Sequence, residues 1–218
     1  MKKLWTVQSE YTLNKIIEDG IYYPNFNKSL EFTQRRKNSY KYILNEFNQR
    51  NKTEYNGLIF CISEFENKAI KNYEEYKNMV YMSGAGGISN SKDDYYLLEL
   101  EVDDNIDLCS CQFYNFCDLI VFLDDTEDYT ITEQDIENVK SNLFIEDSCT
   151  NLVQSHLGYI DKNMIRNVYR SYHGRLKMHM IYEPPVFEIY GPPKLDEQYG
   201  ECSKIEYYKT HLINKNNK

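Results

Sequence analysis

No apolar run in the chain approaches the roughly 20 residues that a membrane-spanning helix needs, which argues against a helical membrane protein. A secretory leader is not expected either. After Met1-Lys2-Lys3, the polar residues Thr6, Gln8, Ser9 and Glu10 interrupt any apolar core, so the expected location is cytoplasmic. Paired cysteines or histidines at metal-ligating spacing are missing. Cys61, Cys109, Cys111, Cys117, Cys149 and Cys202 are scattered. "CSCQFYNFC" offers one C-x-C step and then five residues, which does not complete a tetrahedral site. These cysteines read as reduced thiols and buried small hydrophobes, with no metal expected.

Further absences narrow the chemistry. None of His156, His173, His179 and His211 stands in H-E-x-x-H spacing, and no Ser sits in a G-x-S-x-G elbow. The loop "SGAGGISNS" lacks the Lys-Ser/Thr of a P-loop and precedes a strand, so no helix N-terminus is aimed at a phosphate there. Repeats and linkers are absent, which favours a single domain over residues 1–212 with a frayed tail at 213–218. Tryptophan occurs once, as Trp5.

What is present is a globular composition. The 218 residues are 41% hydrophobic and 27% charged, enough to bury a sizeable core. Tyrosine is abundant at 21 residues and suits both cores and ligand-facing walls. The net charge of -9 does not steer the whole chain toward nucleic acid. It is unevenly spread, with acids crowding residues 124–147. Lys162, Arg166, Arg170, Arg175 and Lys177 follow with no acid among them through Tyr182. That basic stretch, interleaved with Tyr169 and Tyr172, is a solvated face or a contact for phosphates.

Periodicity predicts the elements. Lys3 to Gln8 reads as a strand. Ser9 caps a helix with Leu13, Ile16 and Ile17 on one face and Gly20 as its stop. Phe32 to Phe47 keeps a helical period, and Gly57 to Phe65 reads as a buried strand. "YYLLELEV" is the strongest strand, with Glu99 and Glu101 alternating outward to solvent, or standing as the best-placed carboxylates if the strand lines a cleft. Phe113 to Val121 marks a helix, and Thr132 with Asp135 forms a capping box for another. A strand-rich final third follows. Helices cluster in the first two thirds and strands at both ends, an α+β pattern.

The segments "LWTVQ", "SYKYILNEFNQR", "LLELEVDDNIDLCSCQFYNF" and "LVQSHLGYIDKNMIRNV" resemble, in order, an uncharacterised bacterial family. Its members open Leu-Trp-Thr-Ile-Gln and carry an "AYxWMxxQMxxR" helix, an "LELEVPDD" segment and a late "QATF" strand. The resemblance spans residues 3–168. It departs where Tyr42 replaces a Trp, where the Pro of "EVPDD" is missing, and where Tyr114 or Phe116 stands near an expected Trp. The family's element order is similar to ADP-ribosyltransferase-like domains. The resemblance therefore implies a split β-sheet with flanking helices, NAD binding, and ADP-ribose transfer to a macromolecule, as in a toxin or phage-conflict effector.

On that resemblance Trp5-Thr6 falls at the first landmark, Gly20-Ile21-Tyr22 at the second, and Gln154 where a catalytic Glu is expected. Stacking on nicotinamide falls to Trp5, Tyr22 or Tyr23, and Thr6 would bond a ribose hydroxyl. Gln154 is neutral, so it holds a hydroxyl but cannot offset a cation. Thr6 and Gln8 share one strand face and Trp5 the other. Avoiding the burial of two polar side chains favours Thr6 and Gln8 in the cleft, with Gln154 on a neighbouring strand. The other reading is a non-enzymatic interaction protein for a protein or nucleic-acid partner, the latter through Arg166, Arg170 and Arg175.

Overall fold

A computed structural model describes residues 1–28, 36–83, 95–124, 131–144, 152–171 and 189–190. In chain order the elements are β1 (Lys2–Ser9), α1 (Glu10–Asp19), β2 (Ile21–Tyr22), α2 (Lys37–Asn51), β3 (Ile59–Phe65), β4 (Lys68–Ala69) and α3 (Tyr73–Ser83). They continue with β5 (Tyr95–Val102), β6 (Leu108–Gln112), α4 (Phe113–Asp124), α5 (Glu133–Asn142), β7 (Leu152–Leu157), β8 (Ile160–Asp161), β9 (Ile165–Ser171) and β10 (Ile189–Tyr190). Single 3₁₀ turns occupy Phe26–Lys28 and Lys162–Met164. Helices and antiparallel strands together make the chain α+β, as the periodicity implies.

Backbone contacts divide the chain into two units. The first takes in the described residues of Met1–Tyr22, Ile70–Asp104 and Ile160–Lys218. Its strands run in the order β10–β9–β5–β1, each antiparallel to the next. Ser9 caps α1 by accepting from the Thr12 amide at 3.3 Å, as its sequence position predicts. Gly20 ends the helix at φ +80°, where a side chain would be strained, and its amide donates to the Ile16 carbonyl at 2.9 Å. α1 packs on β1 and β5, and Leu13, Ile16 and Ile17 are buried. The short pair β2–β8 then fastens Tyr22 opposite Ile160. α3 fills residues whose pattern fits no single period.

The second unit comprises Tyr23–Ala69 and Asn105–Tyr159. Its strand order is β3–β7–β6, with β4 returning onto β3. Both edges of β7 are therefore taken, and the expected pairing of β7 with β1 is not formed. β6 escapes sequence reading because its Cys109 and Cys111 alternate with polar residues in a short run. Phe26, Ile43, Phe47, Leu58, Phe116, Leu119 and Leu143 join those two cysteines in one buried cluster. Asp124, at the end of α4, accepts from the Asn38 and Ser39 amides at 2.8 and 3.0 Å. It thereby caps α2, whose own Arg36 makes no side-chain cap. The capping box on α5 is present: the Thr132 amide donates to Asp135 at 2.9 Å and the Asp135 amide to Thr132 at 3.2 Å. The Gly-rich loop after Ser83, the strands read after Tyr172 apart from Ile189–Tyr190, and the tail at 213–218 lie outside the described residues.

Candidate functional site

In the first unit, antiparallel register sets Trp5 on β1 opposite Glu99 on β5, and Glu99 opposite Asn167 on β9. Residues directly opposite on paired strands share a face, so these three side chains stand on one side of the sheet. Glu99 is only 4% exposed, against the expectation that it faces water. β5 is flanked by strands on both sides, and aromatic residues from α3 and β9 wall this face. Burying an ionised carboxylate costs several kcal/mol unless donors replace water. Lys3 Nζ reaches Glu99 Oε1 at 2.6 Å, Asn167 Nδ2 reaches Oε2 at 2.6 Å, and the Tyr169 hydroxyl lies 3.4 Å from Oε2. Glu101, two residues along, is more exposed and pairs with Arg166 Nε at 2.6 Å.

An aromatic wall adjoins the carboxylate. Trp5 stacks on Tyr76 with centroids 5.3 Å apart and lies 6.2 Å from Tyr169. Tyr73 stacks on Tyr169 at 4.7 Å. The Trp5 indole N–H donates to the Ile70 carbonyl at 3.0 Å, which fixes the ring's orientation. Burial, then the Glu99 charge and its hydrogen bond, push the Tyr169 hydroxyl up to about 12. It therefore keeps its proton and remains a donor to Glu99. Burial raises Tyr73 as well.

The sequence-predicted residues are distributed differently from the expected pocket. Trp5 faces Glu99, while Thr6 and Gln8 face the other side of β1, and Gln8 Nε2 donates to Thr6 Oγ1 at 2.8 Å. Thr6 is 1% exposed, so the polar pair is satisfied internally. Trp5 is also 1% exposed, so β1 is buried on both faces at these two positions. Tyr22 is half-buried in β2. Tyr23, at 57% exposure, belongs to the second unit and lies against Tyr55 and Tyr159.

Gln154 also belongs to the second unit and is buried on β7. Its amide Oε1 is placed 3.1 Å from His156 Nε2, while His156 Nδ1 lies 3.0 Å from the Cys109 carbonyl. Burial drives the His156 pKa down to about 4, so the ring is neutral. A carbonyl only accepts, so Nδ1 carries the proton and Nε2 is the acceptor. Gln154 must then present its NH₂ to Nε2, the two amide orientations having the same shape. Burial raises the Cys111 thiol, which disfavours a thiolate nucleophile. Arg166 is held by Glu101 and the Asn163 carbonyl. The Arg170 side chain and all of Arg175 lie outside the description.

Sequence reasoning missed Lys3, Asn167 and Tyr169 as partners of Glu99. The available signal was a Glu at the centre of "YYLLELEV", the most apolar strand in the chain. Among the described residues, no group of three or more His, Cys, Asp or Glu is placed to hold a metal ion. No described helix is long and apolar enough to cross a membrane. No protein-family model matches the chain, and no curated protein matches it significantly.

Proposed function

We propose that the protein binds NAD and transfers ADP-ribose to a macromolecule, with an ADP-ribosyltransferase-like split sheet as its scaffold. The observation that carries the reading is the buried Glu99 carboxylate in register with Trp5 on one sheet face. Breaking the bond between ribose and nicotinamide leaves positive charge on the sugar and releases neutral nicotinamide. An acceptor nucleophile then bonds to the ribose carbon. A fixed carboxylate stabilises the developing cation, and an aromatic ring orients the leaving group. Glu99 supplies the charge that Gln154 lacks, and Trp5 or Tyr169 supplies the ring.

The test is calorimetric titration with NAD, followed by chromatographic detection of released nicotinamide. Glu99→Gln keeps the side chain's shape and removes its charge. It is expected to lower nicotinamide release about 10²–10³-fold, the cost of losing one electrostatic stabiliser. Equal release by the folded variant, or no heat of binding by wild type, refutes the reading.

One observation favours the second reading, an interaction protein. Tyr23 is exposed and its ring lies 6.4 Å from Tyr55 and 5.8 Å from Tyr159, an outward tyrosine cluster in the second unit. Such a cluster suits stacking against a base or a partner's side chain. Retention of RNA or DNA on filters at low salt, lost in Tyr23→Ser, would support the nucleic-acid form; no retention removes it.

A further inference from the structure

We infer that Glu99 is the anchor of a binding site for an organic cation, and that Lys3 occupies this site from within the chain when no ligand is bound. The inference rests on the nucleotide reading above only for its ligand class, a cationic ring such as the pyridinium of NAD.

The surroundings of the Lys3 ammonium are those of a cation receptor. Glu99 Oε1 lies 2.6 Å from Nζ and the Lys71 carbonyl 2.8 Å from it. Trp5 shares the sheet face, two residues along the same strand. Tyr169 sits against both Trp5 and Glu99. A carboxylate and a carbonyl together attract a positive group more strongly than either alone.

The two ends of the ion pair are unequal. The Glu99 side chain is 5% exposed and is also held by Asn167, whereas the Lys3 side chain is 38% exposed, near the start of β1. Lys3 reaches the carboxylate on a flexible four-carbon stem, so its head can leave for water without moving the sheet. Glu99 has no such exit. Once Lys3 swings out, the carboxylate keeps the Asn167 amide and the Tyr169 hydroxyl, both neutral donors, as side-chain partners. A ligand cation entering there restores the charge balance. A neutral ring does not.

Trp5 is the chain's sole tryptophan, so its fluorescence reports on this face. The probes are N-methylnicotinamide, a permanent cation, and nicotinamide, its neutral counterpart. Lys3→Met removes the internal competitor and keeps most of the stem. It is expected to lower the half-saturating concentration of N-methylnicotinamide at least tenfold relative to wild type, while Lys3→Arg leaves it near the wild-type value. Nicotinamide is expected to show no such difference. Lys3→Met/Glu99→Gln is expected to lose the gain. Should Lys3→Met not fold, Lys3→Gln takes its place. Equal affinity in wild type and the Lys3 variant overturns the inference, as does a gain that survives Glu99→Gln. If the cation binds with this pattern but NAD does not, the cation site stands and the NAD reading fails. If NAD binds with no dependence on Lys3, the reverse holds.

Discussion

His156 is the residue whose environment has the clearest energetic consequence. The unfolded chain takes up a proton near the ordinary histidine value of 6.5, and the folded ring only near 4. Above about pH 6.5 both states are neutral and the group adds no pH dependence. As pH falls from there toward 4, the unfolded state gains a proton that the folded state refuses, and stability drops by about 1.4 kcal/mol per pH unit. The loss levels off on the order of 3 kcal/mol below pH 4. Urea unfolding across this range, for wild type and His156→Phe, should show that slope in the first and a shallower one in the second. The ring's NMR shifts should report an Nδ1–H tautomer throughout neutral pH. Gln154 belongs to the same network. Gln154→Ala leaves Nε2 buried without a donor, at about 1–3 kcal/mol, and should not alter nucleotide affinity. Unchanged stability with lost NAD affinity would return Gln154 to the ligand.

At the scale of elements, stability depends on ends as much as on faces. α2 begins at Lys37 with two amides that donate to Asp124, a residue more than eighty positions along the chain. Asp124→Ala is expected to cost about 1–2 kcal/mol, in the range for loss of an N-cap. Circular dichroism during urea unfolding checks it; a cost below about 0.5 kcal/mol would mean that water caps the helix equally well. The contrast with α1 explains what was legible in the sequence. Ser9 and Gly20 lie beside the helix they bound, so α1 could be read directly, as could the Thr132–Asp135 box. The cap on α2 crosses between helices, and no local pattern announces it. β6 was hidden for a related reason: its burial comes from pairing with β7, not from its own composition.

For the whole molecule, the candidate site shows the same limit more sharply. That Trp5 and Thr6 face opposite ways follows from strand alternation alone. Which face meets a carboxylate depends on β5 pairing with β1 from ninety residues away, and on α3 closing over that face. Burying Thr6 beside Gln8 looks costly from the sequence, and the Gln8–Thr6 hydrogen bond removes much of that cost. Net charge, by contrast, is a property the sequence states outright, and it separates the two ligands discussed above. At -9 the protein repels anions and attracts cations at long range. NAD is a net anion because its pyrophosphate outweighs the pyridinium, whereas N-methylnicotinamide is a cation. Raising ionic strength from about 0.01 to 0.1 M shortens the screening length from about 30 to 10 Å and mutes both effects. NAD affinity should therefore rise with salt, and N-methylnicotinamide affinity should fall over the same range. Calorimetric titrations at the two salt concentrations check both slopes. If NAD binding instead weakens as salt rises, basic side chains hold its phosphates, and Glu99 is then not the dominant electrostatic contact with the dinucleotide.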